Sequence, residues 1–262
     1  MGKIHMKTNC KLFYCILFLI VPFFPQKALS LEGENFNIVN SFITTFQKGD
    51  KQEIAKFISF PLSREKPIPS IDTPKDFVRR FEEIFDYRLS NMIKNSDIHK
   101  DWQAVGWRGI MLHNGDLWID YDGKVKTINY QSDFEKALKE KLIESEKKNL
   151  YMTLRKYIRP VLDWRTKSFR VRIDEIADNK FRYVAWAKDK SPLTKPNLIL
   201  NNGKWVPEGS GGNHHYEFDN GDFMYKVYVF VLGSSETPIG SLEVFNKNKQ
   251  LLSEDFIEVM NP

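Results

Sequence analysis

Apolar positions along the chain change period once, and that change divides it. Phe36, Val39, Phe42, Ile43 and Phe46 recur at the spacing of one helical face, and Gly49 ends the run. Asp50-Lys51-Gln52-Glu53 is a capping-box pattern in which Asp50 can accept free amides and Glu53 can reach back. Ile54, Phe57 and Ile58 then line one face as far as Pro61. Thr73 before Pro74 predicts a third helix start, because a missing N–H costs nothing at a first helical position. Its stripe is Phe77, Phe81, Ile84, Phe85, Leu89, Met92 and Ile93. Three short strands are predicted next. Val105, Trp107, Gly109 and Met111 alternate, then Leu117, Ile119 and Tyr121, then a third strand over 125–128. Asn114-Gly115 and Asp122-Gly123 supply the turns, since both residues of such pairs accept positive φ.

Ser132-Asp133-Phe134-Glu135 is another capping box, opening a heavily charged helix with a thin apolar edge of Phe134, Leu138 and Leu142. It reads as a connector with a solvated face. Beyond it the period becomes two. Phe169, Val171 and Ile173 alternate with Arg170, Arg172 and Asp174, and strands are expected over 181–186, 198–200, 215–218, 223–232, 239–245 and 251–259. Asp178-Asn179, Asn202-Gly203 and Asn220-Gly221 read as the turns between them. Frequent turns between short strands predict an antiparallel sandwich or barrel. The fold class is therefore α+β, with helices and a meander followed by an antiparallel β domain.

The first thirty residues read as an address. Lys3, Lys7 and Lys11 precede an apolar run over 12–21, and Ala28-Leu29-Ser30 offers small residues for a signal peptidase. The run is too short for a bilayer span before Pro25-Gln26-Lys27 breaks it. Expected boundaries are 1–30 signal peptide, 31–131 first α+β domain, 132–164 helical connector and 165–262 β domain. Both cysteines, Cys10 and Cys15, fall in the signal, so the mature chain would hold no disulfide and no thiolate chemistry. The whole chain carries 39 basic and 34 acidic residues. Removing the four signal lysines leaves 35 against 34, which gives no electrostatic reason to seek nucleic acid. The expected location is periplasmic or extracellular, without a membrane span after cleavage.

Residues 57–62 (Phe-Ile-Ser-Phe-Pro-Leu), the Phe77–Phe85 stripe and 109–118 (Gly-Ile-Met-Leu-His-Asn-Gly-Asp-Leu-Trp) together resemble the nuclear-transport-factor-2-like cone fold of secreted bacterial proteins. Residues 181–186 and 209–213 resemble the small β domain that follows it in such proteins. The resemblance implies a pouch between helices and sheet, lined here from Phe77, Phe81, Phe85, Trp107 and Trp118. Enzymes of that fold place a carboxylate or His beside Tyr donors. Asp86, Tyr87 and His113 are the catalytic candidates here, with Asp116 and Asp120 nearby.

His214-His215 cannot chelate one metal from a regular strand, because neighbours point to opposite faces. No metal site and no cofactor is expected. The glycines of 208–213 mark a turn, lacking the Lys and helix that a phosphate loop needs. Arg170, Arg172 and Arg182 read first as a solvated sheet face balanced by Asp174 and Glu175, with one patch able to bind a carboxylate, a phosphate or a protein partner as the alternative. Trp164, Trp186 and Trp205 read first as core, with a sugar-stacking platform as the alternative. The expected function is an exported, non-enzymatic binding or interaction protein of the cell envelope, monomeric or homodimeric, taking a small molecule or an envelope protein. The alternative is a hydrolase, isomerase or dehydratase working in the pouch.

Overall fold

The first apolar stripe folds as α1 (Gly33–Lys48) and buries Val39, Phe42, Ile43 and Phe46. A computed structural model describes residues 31–209, 211–234 and 236–260; the expected signal peptide with Cys10 and Cys15 lies outside the described residues, as does Ser210. Gly49 stops α1 in the left-handed conformation, where its amide donates to the Phe46 carbonyl. Asp50 caps α2 (Lys51–Ala55), accepting from the Gln52 and Glu53 amides. That helix is shorter than its stripe. The Val125 amide donates to the Phe57 carbonyl, and the Ser59 amide donates to the Val125 carbonyl, so tertiary strand pairing overrides the helical period there.

The third stripe is three helices, α3 (Pro74–Arg79), α4 (Phe81–Ile84) and α5 (Tyr87–Lys94). Thr73 caps the first as expected. Asp86 caps the last by accepting from the Leu89 amide, a local bond that competes with continuing the helix through it. These breaks let the rings meet. Phe81 lies 5.6 Å from Phe77 and 5.0 Å from Phe85, and Phe85 lies 5.1 Å from Phe46.

A small antiparallel sheet follows in the order β1 (Trp102–Ala104), β2 (Ile110–Leu112), β3 (Leu117–Ile119) and β4 (Val125–Ile128). The expected strand through Val105 and Trp107 does not form. Residues 106–108 make a 3₁₀ turn, and Ile110 and Leu112 take the core face. A one-residue shift exchanges the faces of a period-two pattern.

Helix α7 comes next; α6 (Ile98–Asp101) is the single turn just before β1. α7 (Asp133–Lys148) opens on Ser132, whose hydroxyl accepts from the Glu135 amide. Glu135 does not reach back to complete the box. It is fully buried and takes two hydrogen bonds from Arg64, one of 2.6 Å from Nε. Arg64 also donates to the Ile128 and Tyr130 carbonyls. Toward its other end α7 buries Ile143 and Glu146, and Ile143 packs with Leu150, Leu154, Tyr157, Val184 and Trp186. Phe134, expected on the apolar edge, is exposed. The expected solvated face is there, since Lys136, Glu140, Lys141, Glu144 and Lys148 are exposed, but the opposite face is a strut anchored by the buried Glu135, Ile143 and Glu146.

The second sheet runs β5 (Arg159–Arg165), β6 (Phe169–Ala177), β7 (Lys180–Ala187), β8 (Leu198–Pro207), β9 (His214–Asn220), β10 (Phe223–Val229), β11 (Gly240–Asn246) and β12 (Lys249–Asp255). Each strand pairs antiparallel with the next, and β13 (Glu258–Val259) pairs with β5. The last segment thus changes partner. The Phe256 amide donates to Gly240 on β11, and the Ile257 amide donates to Arg165 on β5. One stretch of chain therefore joins the two ends of a curled antiparallel sheet. Asn202-Gly203 is not a turn but lies within β8, where Asn202 takes a φ of 64°. Gly203 is needed there because a Cβ would meet the Phe218 ring at 2.0 Å. The inner face buries Val171, Ile173, Tyr183, Phe218, Val227 and Leu242. Arg172, Asp174, Arg182, Val184 and Trp186 alternate with the inner set and are buried too. Among the described residues no helix is long and apolar enough to cross a membrane.

Arg64→Ala would leave Glu135 buried and unmatched, and should cost about 3–5 kcal/mol in urea unfolding. The double variant Arg64→Met/Glu135→Leu should recover most of that. A loss under about 1 kcal/mol for the single variant would contradict the two-point pairing.

Candidate functional site

Residues 63–72 form a loop closed by paired hydrogen bonds between Leu62 and Ile71, of 2.8 and 2.9 Å. Arg80 reaches under it and donates to the Pro69 and Ser70 carbonyls. The loop therefore holds its shape, and its Pro67-Ile68-Pro69 stretch offers an apolar wall. Leu142 and Glu146 of α7, Pro160, Leu162 and Asp163 of β5, and Val259 and Met260 supply the others. Together they enclose a cleft of about 560 Å³ between the helical half and the curled sheet. That volume suits a small-molecule site.

The charges around this cleft are nearly all spoken for. Arg170 pairs with both oxygens of Asp163, at 2.8 and 2.7 Å. Arg172, with no exposed surface, donates to Glu146 and to Asp174, each at 2.7 Å. Arg182 donates to Asp174 at 2.6 Å and to the Leu154 carbonyl at 2.6 Å. The Tyr157 hydroxyl donates to Glu146, and burial followed by the charge of Glu146 pushes that phenol's pKa up. Burial works against the Arg172 charge, but Asp174, Glu146 and Asp163 outweigh it and hold its pKa well above the ordinary value. Such bidentate guanidinium–carboxylate pairs are the strong, geometrically specific kind. Asp72 stands exposed at the rim and accepts the Ser70 hydroxyl.

Lys66 is the exception. Its ammonium lies 5.7 Å from the Trp164 ring centroid, within cation–π range, and no carboxylate among the described residues comes within ion-pair distance of it. Burial lowers its pKa, opposed by the charges of Asp163 and Glu146 and assisted by Arg172. The cleft thus presents one desolvated cation whose charge is not locally cancelled. Chemically it can hold an anion. Asp163 and Glu146 in the walls are engaged by arginine.

The residues singled out from sequence are not gathered into a site. Phe77, Phe81 and Phe85 are buried against one another and Phe46, so their rings occupy the space expected as a pouch. Trp118 sits between Leu117 and Ile119 and faces away from the core those two enter. Trp107 is 60% exposed on the 3₁₀ turn. Asp86 is engaged as the α5 cap and accepts from the Tyr130 hydroxyl, which burial first and Asp86 second push up to about 12. Tyr87, the expected donor, is 81% exposed. His113 lies at the sheet tip, 3.8 Å from Asp101 and from Asp116.

Arg170, Arg172 and Arg182 do not make an exposed patch. Arg172 and Arg182 are buried beneath α7 and the segment after it, bound to Glu146 of α7 and Asp174 of β6. Trp186 is fully buried and donates to the Thr194 carbonyl, while Trp205 is half exposed beside His214. His215 turns the other way, to Glu208. Lys66 carries no sequence signal beyond being one of two basic residues, with Arg64, between Pro61 and Pro67.

Compared with protein-family models, curated proteins and solved structures, the chain matches none of them. The functional reading therefore stands on the cleft itself.

The lowered pKa of Lys66 has a definite consequence for stability. Below it, folded and unfolded chains are both charged, and the folded chain carries the cost of burial. Between it and the ordinary 10.5, the folded chain sheds a proton that the unfolded chain keeps, so this group makes stability rise with pH. Lys66→Met should raise the melting temperature near neutral pH, with the gain shrinking as pH approaches 10.5. A variant no more stable than the parent at pH 7, or a gain that ignores pH, would refute the desolvated ammonium.

Proposed function

We propose that the protein is an exported binding protein of the cell envelope whose ligand is a small organic anion held in the cleft. The observation that carries this is Lys66, an ammonium without a carboxylate partner in a cavity where Asp163 and Glu146 are each matched by arginine. An anion placed there would complete the charge balance, and burial would make its pairing with Lys66 stronger than on an open surface. Pro67, Ile68, Pro69, Leu142, Leu162 and Val259 favour an apolar body behind the anionic group. Export is supported by the basic, apolar and small-residue order of the first thirty positions. The cone reading of the first half is supported by helices packed on a four-stranded antiparallel sheet. A barrel, of the two β architectures expected, is supported by the last segment pairing with both β11 and β5. The enzymatic alternative gains no support from the placement of Asp86, Tyr87 and His113.

The test compares short-chain carboxylates with their matched neutral amides, read by tryptophan fluorescence, since Trp164 adjoins Lys66. Carboxylates should change the emission and amides should not. Lys66→Met should weaken carboxylate binding about 10- to 100-fold, the size expected for a hydrogen bond to a charged group, with the circular dichroism spectrum unchanged. Trp164→Phe should remove the signal while calorimetry still detects binding. Equal binding of acid and amide, or unaltered affinity in Lys66→Met, would sink the proposal.

A further inference from the structure

The curled sheet holds a second cavity, of about 310 Å³, against the inner faces of β6, β7, β8, β10, β11 and β12. It is independent of the cleft and opposite to it in character. Phe169, Leu198, Leu242, Val244 and Leu252 make its walls, and no charged side chain lines it. Closed sheets of about eight strands leave an interior that side chains fill or that holds one small ligand. Here the filling is incomplete on one side. Ala185 is a small residue at a position where the neighbouring strands carry Val171 and Leu198.

The polar groups of this cavity are two phenols. Tyr183 is only 2% exposed, and its ring lies 5.6 Å from that of Tyr225. Among the described residues the Tyr183 hydroxyl makes no hydrogen bond, yet it is not one of the fully enclosed unpartnered atoms, so it opens onto the cavity as a free donor. Burial, with Tyr225 adding to it, pushes the Tyr183 pKa up, so it stays a neutral donor at any physiological pH. An apolar cavity with a free donor on its wall can take a ligand that carries an acceptor. Asn197 at the edge is already used, its side-chain oxygen accepting from the Ala187 amide.

We propose that this cavity is a second binding site, for a small, uncharged and mainly apolar molecule bearing one hydrogen-bond acceptor such as a carbonyl. The volume corresponds to about ten water molecules, which sets the ligand at roughly ten non-hydrogen atoms. Desolvation excludes an anion here, since no cation lines the walls to receive it. The two sites thus select opposite chemistry within one chain.

Three probes of nearly equal size separate the possibilities: acetophenone, ethylbenzene and benzoate, followed by saturation-transfer NMR and calorimetry on the purified protein. Acetophenone should bind, and ethylbenzene should bind about three- to tenfold more weakly, as the loss of one neutral hydrogen bond implies. Tyr183→Phe should bring acetophenone to the ethylbenzene level while leaving ethylbenzene unchanged. Leu242→Trp should fill the cavity and abolish both. Leu252→Trp, at a partly exposed position, does the same job should the deeper variant fail to fold. Benzoate should bind only through the cleft and should be lost in Lys66→Met, which leaves acetophenone binding intact. No acetophenone binding, binding indifferent to both tryptophan variants, or equal response of the two neutral probes to Tyr183→Phe would overturn the site. Failure of benzoate alone would count against the cleft and not against this cavity.

Discussion

Two buried glutamates on one helix hold the molecule's halves in relation to each other. Glu135, at the start of α7, is clasped by Arg64 from the helical half, and Glu146, three turns on, is clasped by Arg172 from the curled sheet. Desolvating such charges costs several kcal/mol each, and the cost is recovered only when geometry and further hydrogen bonds are good. Here they are. Arg64 uses its remaining donors on the Ile128 and Tyr130 carbonyls, and Glu146 accepts from Tyr157 as well as from Arg172. A greasy helix could pack in many rotations about its axis. One with two specific acids has far fewer, and that restriction sets the width of the space between loop 63–72 and β5.

The cleft follows from this arrangement. Because α7 is pinned at both ends, the loop carrying Lys66 stands opposite β5 and does not collapse onto it, and Arg80 with the Leu62–Ile71 pairing holds the loop's own shape. The same network covers the outer face of β6 and β7, so those strands bury both faces, as the unbroken burial of 181–186 records. Strands buried on both sides usually read as continuous apolar runs. These instead place Arg172, Asp174 and Arg182 on the covered face, and ion pairing takes the role that aliphatic packing would have had.

What the sequence disclosed and what it hid divide along the range of the interaction. Caps at Asp50, Thr73 and Ser132 were legible because donor and acceptor lie within three residues. The turns at Asn114-Gly115 and Asn220-Gly221 were legible for the same reason. Asn202-Gly203 misled because the glycine answers to the distant Phe218 ring and not to a turn. Arg172 and Glu135 look like solvent-facing charges in any window of their neighbours. Their burial depends on partners 26 and 71 positions away. The Phe77, Phe81 and Phe85 stripe marks rings that leave solvent, although it breaks into separate helices, and whether such rings line a void or fill it is a question of tertiary volume. Lys66 was invisible on the same ground. Its isolation is defined by where the carboxylates went: Asp163 to Arg170, Glu146 to Arg172 and the adjacent Glu65 to Lys139.

The division between arginine and lysine around the cleft is itself informative. The buried basic residues of the described chain are arginines: Arg64, Arg80, Arg172 and Arg182. A guanidinium suits a permanent role, since it stays charged, spreads its charge over a planar fork and matches a carboxylate at two points. An ammonium suits a different one. It is a compact charge on a flexible stem, it sheds its proton when desolvated, and it has no second arm to lock it in place. A lysine held over Trp164, with Asp163 already committed to Arg170, leaves the position chemically open. The network spends its rigid cations on structure and keeps an adjustable one facing the cavity, which is the distribution expected where a ligand completes the charge balance.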